Sequence, residues 1–131
     1  MNAVGARPAG VAAGAGAGAG EIARLSALPK EVKNERLLHA AENGHTASVR
    51  ALVQAGADIE ATITEGGFTA LMLAADKGHT EAVSALVELG ADIAATNNNG
   101  DTALMLAAFY GKTEAVRALV QAGADIAATN A

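Results

Sequence analysis

Three histidines, three serines and one recurring aspartate are the residues of this chain whose types could do chemistry. His45 and His79 hold equivalent places 34 residues apart, and Lys112 holds that place 33 residues further on. Two ring nitrogens sharing a metal must each approach it to about 2 Å, whereas neighbouring helix layers pack roughly 8–10 Å apart. The pair therefore reads as turn histidines that close a link between helices. His39 has no acid or thiol at ligand spacing and reads as an exposed groove residue. Ser26, Ser48 and Ser84 lack the G-x-S-x-G setting of an activated nucleophile. Asp58, Asp92 and Asp125 recur because the sequence recurs, which makes them turn acids and not a general acid/base pair. No phosphate loop of the G-x-x-x-x-G-K-[S/T] type is present. No catalysis, cofactor or metal is expected.

The recurrence itself is the stronger signal. The stretch from Phe68, FTALMLAADKGHTEAVSALVELGADIAATNN, returns almost letter for letter from Thr102 as TALMLAAFYGKTEAVRALVQAGADIAATN. A fainter copy precedes it from Glu35, ERLLHAAENGHTASVRALVQAGADIEAT. The glycines measure the period: Gly44 to Gly78 is 34 residues and Gly78 to Gly111 is 33, with the same pair of intervals from Gly56 through Gly90 to Gly123. Two short helix-periodic segments split by a Gly at this period predict a stacked solenoid. The extra residue of the first interval falls in a polar turn, since both helices stay in phase around it.

Composition narrows the partner. Apolar residues make up 51% of the 131 residues but aromatics only 2%, so thin layers built on Ala are expected instead of a bulky core. The net charge is -5, and the 9 basic residues are scattered without a run. A phosphate backbone needs clustered Lys/Arg, so nucleic acid is not expected. There is no Cys for a disulfide framework or a thiolate metal site. No apolar run approaches the roughly 20 residues that span a bilayer, and Met1–Gly20 is too poor in Leu, Ile and Phe for a secretory signal. An intracellular protein, cytoplasmic or nuclear, is the expectation.

Residues 1–20, ending in a Gly-Ala alternation, have nothing to bury and read as a flexible tail. Gly14, Gly16 and Ala19 match G-x-G-x-x-A spacing, but no strand precedes them, so the match is discarded. A transit peptide is not expected either, for want of Ser, Thr and a basic face. Residues 21–29 form a short helix over Glu21–Leu28 or a linker, interrupted by Pro29. The repeat domain occupies 30–131, with repeats at about 30–63, 64–96 and 97–129. First helices are predicted over Lys30–Asn43, Thr69–Lys77 and Thr102–Tyr110. Second helices are predicted over Thr46–Ala55, Glu81–Leu89 and Glu114–Ala122. Each helix is closed by a Gly in the left-handed conformation. Thr46, Thr80 and Thr113 stand where an N-cap hydroxyl is useful.

The runs from Thr69 and Thr102 resemble the ankyrin repeat, whose pattern is G-x-T-P-L-H-x-A-A-x-x-G-H-x-E-x-V-x-x-L-L-x-x-G-A-D. The likeness covers about Glu35 to Asn130. It implies an all-α ankyrin-repeat solenoid of helix-turn-helix pairs with β-turn or hairpin fingers. The first copy lacks the G-x-T turn and is similar to an N-terminal capping repeat. Where the family has Pro-Leu-His this chain has Ala70-Leu71-Met72 and Ala103-Leu104-Met105, so Met72 and Met105 are expected to fill the core. Glu60, Ala94 and Ala127 replace the Asn that follows the Asp-Ile pair, which puts a bracing hydrogen bond in doubt.

The resemblance also implies a non-catalytic module that binds another protein on its concave side. Mapped onto this sequence, that side comprises the finger residues Thr64, Glu65, Gly66 and Phe68 and Asn97, Asn98, Asn99 and Asp101. It also comprises the first-helix ends Glu42 and Asn43, Asp76 and Lys77, Phe109 and Tyr110. All three aromatic residues, Phe68, Phe109 and Tyr110, fall at these variable positions and none at an expected core position. The acids Glu42, Glu65, Asp76 and Asp101 would favour a partner with a basic patch. At the C-terminal side, Val116, Leu119 and Val120 repeat the internal pattern of Val83, Leu86 and Val87. That face is expected to be exposed, to self-associate, or to receive further repeats. The alternative function is a regulatory or targeting segment of a larger enzyme or channel.

Overall fold

The computed structural model describes residues 19–124. The tail before Ala19 and the last Asp-Ile pair, Asp125 and Ile126, lie outside the described residues. Among the described residues seven helices follow in order: α1 (Ala19–Ser26), α2 (Lys30–Glu42), α3 (Thr46–Gln54), α4 (Ala70–Lys77), α5 (Thr80–Glu88), α6 (Ala103–Phe109) and α7 (Thr113–Gln121). Among the described residues the β pairing is a single antiparallel bridge, Thr62 with Thr69. The architecture is all-α.

Helices α2, α4 and α6 stack side by side as one layer, and α1, α3, α5 and α7 as a second. Each first helix also packs on the second helix that follows it. The layers are thin because their contact positions are small: Ala40, Ala74 and Ala107 in the first layer and Ala82 and Ala115 in the second are buried. Leu37, Leu71, Leu86 and Leu119, with Val49 and Val83, are the large side chains sealed between them. Sealing each Leu off from water contributes roughly 1.5–3 kcal/mol.

Several local expectations need correction. The first helix runs from Ala19 to Ser26, two residues earlier at each end than predicted. Ala27 and Leu28 turn tightly out of it by donating to the carbonyls of Arg24 and Leu25. Pro29 is the N-cap residue of α2, which starts at Lys30 as predicted and ends at Glu42, one residue before the predicted Asn43. Thr46, Thr80 and Thr113 do not cap. They are first helical residues, and the cap positions His45, His79 and Lys112 make no capping side-chain bond. The reason is that the amide three residues after each threonine, which its hydroxyl would have to accept from, is already bonded within the helix: Val49, Val83 and Val116 donate to the carbonyls of His45, His79 and Lys112 at 3.0, 3.0 and 2.9 Å. Side-chain capping occurs on the first helices α4 and α6 instead. The Thr69 and Thr102 hydroxyls accept from the amides of Met72 and Met105 at 3.3 and 3.2 Å. The Thr69 amide also donates to the Met72 thioether at 3.5 Å, so this Met does more than fill the core. Met72 is fully buried, whereas Met105 is only half-buried.

Polar links between repeats replace those placed in doubt. Asn34 Oδ1 accepts from the Asp58 amide at 2.7 Å, and Glu60 Oε2 accepts from the Asp92 amide one repeat later at 2.8 Å. Glu60 thus performs the bracing that the substituted Asn would have supplied. Ala94 has no group with which to continue the series. His79 Nε2 donates to the Glu42 carbonyl of the preceding repeat at 3.0 Å. This fixes a requirement at Gly44, whose φ of 73° already favours glycine. A Cβ there would stand 2.6 Å from the His79 ring.

Candidate protein-binding surface

The ends of the three first helices form a row because the helices stack in register, one repeat apart. In α2 the row residue Glu42 is exposed and Asn43 is the C-cap, its side-chain amide donating to the His39 carbonyl at 2.8 Å. In α4 Asp76 is half-buried, Lys77 is exposed, and Gly78 at φ 77° ends the helix. In α6 the row ends in Phe109, 79% exposed, and the C-cap Tyr110, 54% exposed. Their rings meet edge to face, with centroids 4.9 Å apart and planes at 88°. The T-shaped contact holds two large apolar rings in a fixed mutual pose while both remain open to solvent. These two and Val120 are the exposed large hydrophobics among the described residues.

The fingers are built differently. In the first, the Ile63 amide donates to the Phe68 carbonyl at 2.9 Å, and Gly66 and Gly67 carry the chain round at φ 86° and 70°. Thr64 and Glu65 are exposed at its tip. Phe68 is not: its ring is half-buried and packs against the core, which corrects the expectation that every aromatic avoids it. In the second finger Asn97 is the organiser. Only 7% exposed, it accepts at Oδ1 from the amides of Asn99 and Asp101, both at 2.9 Å. Its backbone amide donates to the Asp101 carbonyl at 3.0 Å. Asn97 is thus a turn-forming residue, and Asp101 is half-buried and tied into the same turn. Asn98 and Asn99 remain exposed. The two fingers touch where the Asn98 amide donates to the Gly66 carbonyl at 2.8 Å.

The surface therefore brings together Glu42, Asn43, Asp76, Lys77, Phe109 and Tyr110 as one row, with Glu65, Asn98 and Asn99 on the finger tips. It draws Phe68 and Asn97 inward. Among the described residues no group of three or more His, Cys, Asp or Glu lies together as a metal cage. No described helix is long and apolar enough to cross a membrane. The linking role of His79 toward the preceding repeat, as distinct from a turn within its own, was not drawn from the sequence. The G-H pair before the first two of the second helices, Gly44-His45 and Gly78-His79, is the signal from which it could have been read.

No curated protein matches the chain. A family model for ankyrin repeats in three copies matches residues 17–97 and, in a second overlapping alignment, 37–130. Such repeats generally act as protein–protein interaction modules and are typically non-catalytic. With the period, the paired helices and the family match in agreement over most of its length, this chain belongs to the ankyrin-repeat family.

Proposed function

We propose that the chain is a non-catalytic binding module whose partner protein docks on the row of first-helix ends and the finger tips beside it. The observation that carries this reading is the Phe109–Tyr110 pair, two exposed rings held edge to face at the end of the row. Large aromatic side chains that enter a partner's pocket supply much of the energy of an interface. Glu42, Glu65 and Asp76 along the same surface favour a partner with Lys or Arg facing them, chiefly through encounter rate and register. Affinity capture from the native cell followed by mass spectrometry identifies the partner. The double substitution Phe109→Ala with Tyr110→Ala then lowers its affinity at least tenfold. An unchanged affinity moves the site elsewhere.

A second reading rests on the outer side of the last repeat. Ala75 and Val83 of the middle repeat are fully buried beneath the last one, but their counterparts Ala108 and Val116 are exposed and half-exposed, and Val120 is 42% exposed. This is a copy of a stacking face without the unit that covers it. It supports self-association through that face, or further repeats in a larger regulated protein. Light scattering across concentration separates the two: a strict monomer removes self-association.

A further inference from the structure

Helix α1 stacks on α3 as α3 stacks on α5, so it takes the place of a second helix, and among the described residues no first helix lies beside it. Where that helix would lie, the structure has an open groove of about 540 Å³. Leu25, Ala40 and Leu52 line its apolar part, and Ala40 and Leu52 are themselves buried. This is a volume and a make-up suited to ligand binding.

The repeat register shows what the groove is a copy of. Its lining residues Arg36, His39 and Ser48 correspond to Ala70, Leu73 and Ala82 of the middle repeat and to Ala103, Leu106 and Ala115 of the last. All six of those internal residues are buried, whereas Arg36, His39 and Ser48 are exposed. Three apolar positions of a stacking face have become a cation, an imidazole and a hydroxyl. A fourth lining residue, His45, corresponds to His79, which donates to the carbonyl of Glu42 near the end of the preceding first helix at 3.0 Å. No such carbonyl meets the His45 side chain among the described residues. Among the described residues the side chains of Arg36 and His45 have no ion pair or hydrogen bond, so their capacity is unspent.

We propose that this groove docks a helix of a partner protein in the place that a first helix takes in the other repeats. The internal stacking interface gives the pose, with the helix parallel to α2 and its C-terminal carbonyls at His45. The changed residues give the chemistry: small apolar side chains toward Ala40 and Leu52, and a carboxylate toward Arg36 and His39. Glu35, also on the lining, lies at the end where the helix N-terminus would sit, the sign the helix dipole favours. A further repeat of this chain's own kind does not fit, because its covering face would bring Met or Ala against Arg36 and His39. Segment 1–18 does not answer them either, since it contains no acid. This site lies apart from the row of first-helix ends and stands or falls independently of it.

The test uses the full chain and two helix-stapled peptides. One carries the sequence Thr69–Lys77, and the other the same sequence with Met72→Glu, Met72 being on the side that a following repeat covers. Isotope-edited NMR is expected to show the Met72→Glu peptide shifting resonances of His39, His45 and Leu52. Its Kd should be at least tenfold below that of the unsubstituted peptide, and Arg36→Ala should remove that difference. Ser48→Trp, which fills the groove from an exposed position, should abolish binding with circular dichroism and melting unchanged. No saturable binding, equal binding of the two peptides, or shifts confined to Phe109 and Tyr110 would overturn the proposal. A nitroxide on Ala12→Cys that broadens His39 and Leu52 in the free protein would also overturn it, by showing the chain's own segment in the groove.

Discussion

The two junctions of this stack are built from nearly the same letters and are held together differently. Between the first and middle repeats, apolar contact is supplemented by three side-chain links. These are His79 to the Glu42 carbonyl, Glu60 to the Asp92 amide, and the Arg50–Glu88 ion pair at 3.0 Å. Between the middle and last repeats the same positions read Lys112, Ala94, and Ser84 with Gln121. None of those substitutes restores the lost link, and the fingers contribute a backbone bond from Asn98 to Gly66. The last repeat is thus held by apolar stacking with the finger bond, while the side-chain links distinguish the first junction from the second. In a one-dimensional array, stability is a sum of repeat and junction terms, so the two junctions should be separable by mutation.

The largest effect is expected where both junctions share a support. Leu71→Ala or Leu86→Ala empties a fully buried position of the middle repeat and should lower unfolding free energy by about 2–5 kcal/mol, measured by urea titration. If either costs less than the polar substitutions below, the repeats are held chiefly by their links. Next come the glycines. Gly44→Ala and Gly111→Ala both force a left-handed residue, at about 1–2 kcal/mol. Only Gly44→Ala also displaces the His79 ring, since nothing lies within 4 Å of a Cβ at Gly111. Gly44→Ala should therefore be the more destabilising of the two, and equal losses would show that His79 contributes nothing.

Because Glu60 and its bond are exposed, Glu60→Ala is expected to cost roughly 0.5–1.5 kcal/mol, the net range of a typical intramolecular hydrogen bond, in the same titration. Its mirror is the pair Ser84→Arg with Gln121→Glu, which copies the Arg50–Glu88 geometry to the second junction. Both Arg50 and Glu88 are substantially exposed, 43% and 63%, so the graft should add at most about 0.2–1 kcal/mol and lose that gain in high salt. A larger, salt-independent gain would mean the second junction gains packing instead of charge.

Period, helix pairing and the buried Leu-Ala pattern were legible in the sequence because repetition reports them three times over. Residues that act once were not. Phe68 was placed on the surface because its position varies between repeats, yet variation says nothing about which way a ring turns. Asn97 looked like one of three equivalent asparagines until the finger closed on its Oδ1. Thr46, Thr80 and Thr113 satisfied a capping rule, but the amides it needs, those of Val49, Val83 and Val116, were already bonded to the carbonyls of His45, His79 and Lys112. The row of first-helix ends followed from the family likeness, whereas the groove beside α1 did not. Its signal, Arg36, His39 and Ser48 standing in an otherwise Ala/Leu register, was nonetheless in the letters.

The Thr69–Met72 cap has a consequence of another kind. A thioether is oxidised to a sulfoxide when an oxidant reaches it, and Met72 is sealed beneath the last repeat whereas Met105 is half-open. Peroxide should therefore convert Met105 in the folded protein and Met72 only during moments when the last repeat has lifted away. Mass spectrometry of the two peptides over time would then read the frequency of that lifting. The sulfur that closes a helix end also serves as a built-in clock for the opening of the stack.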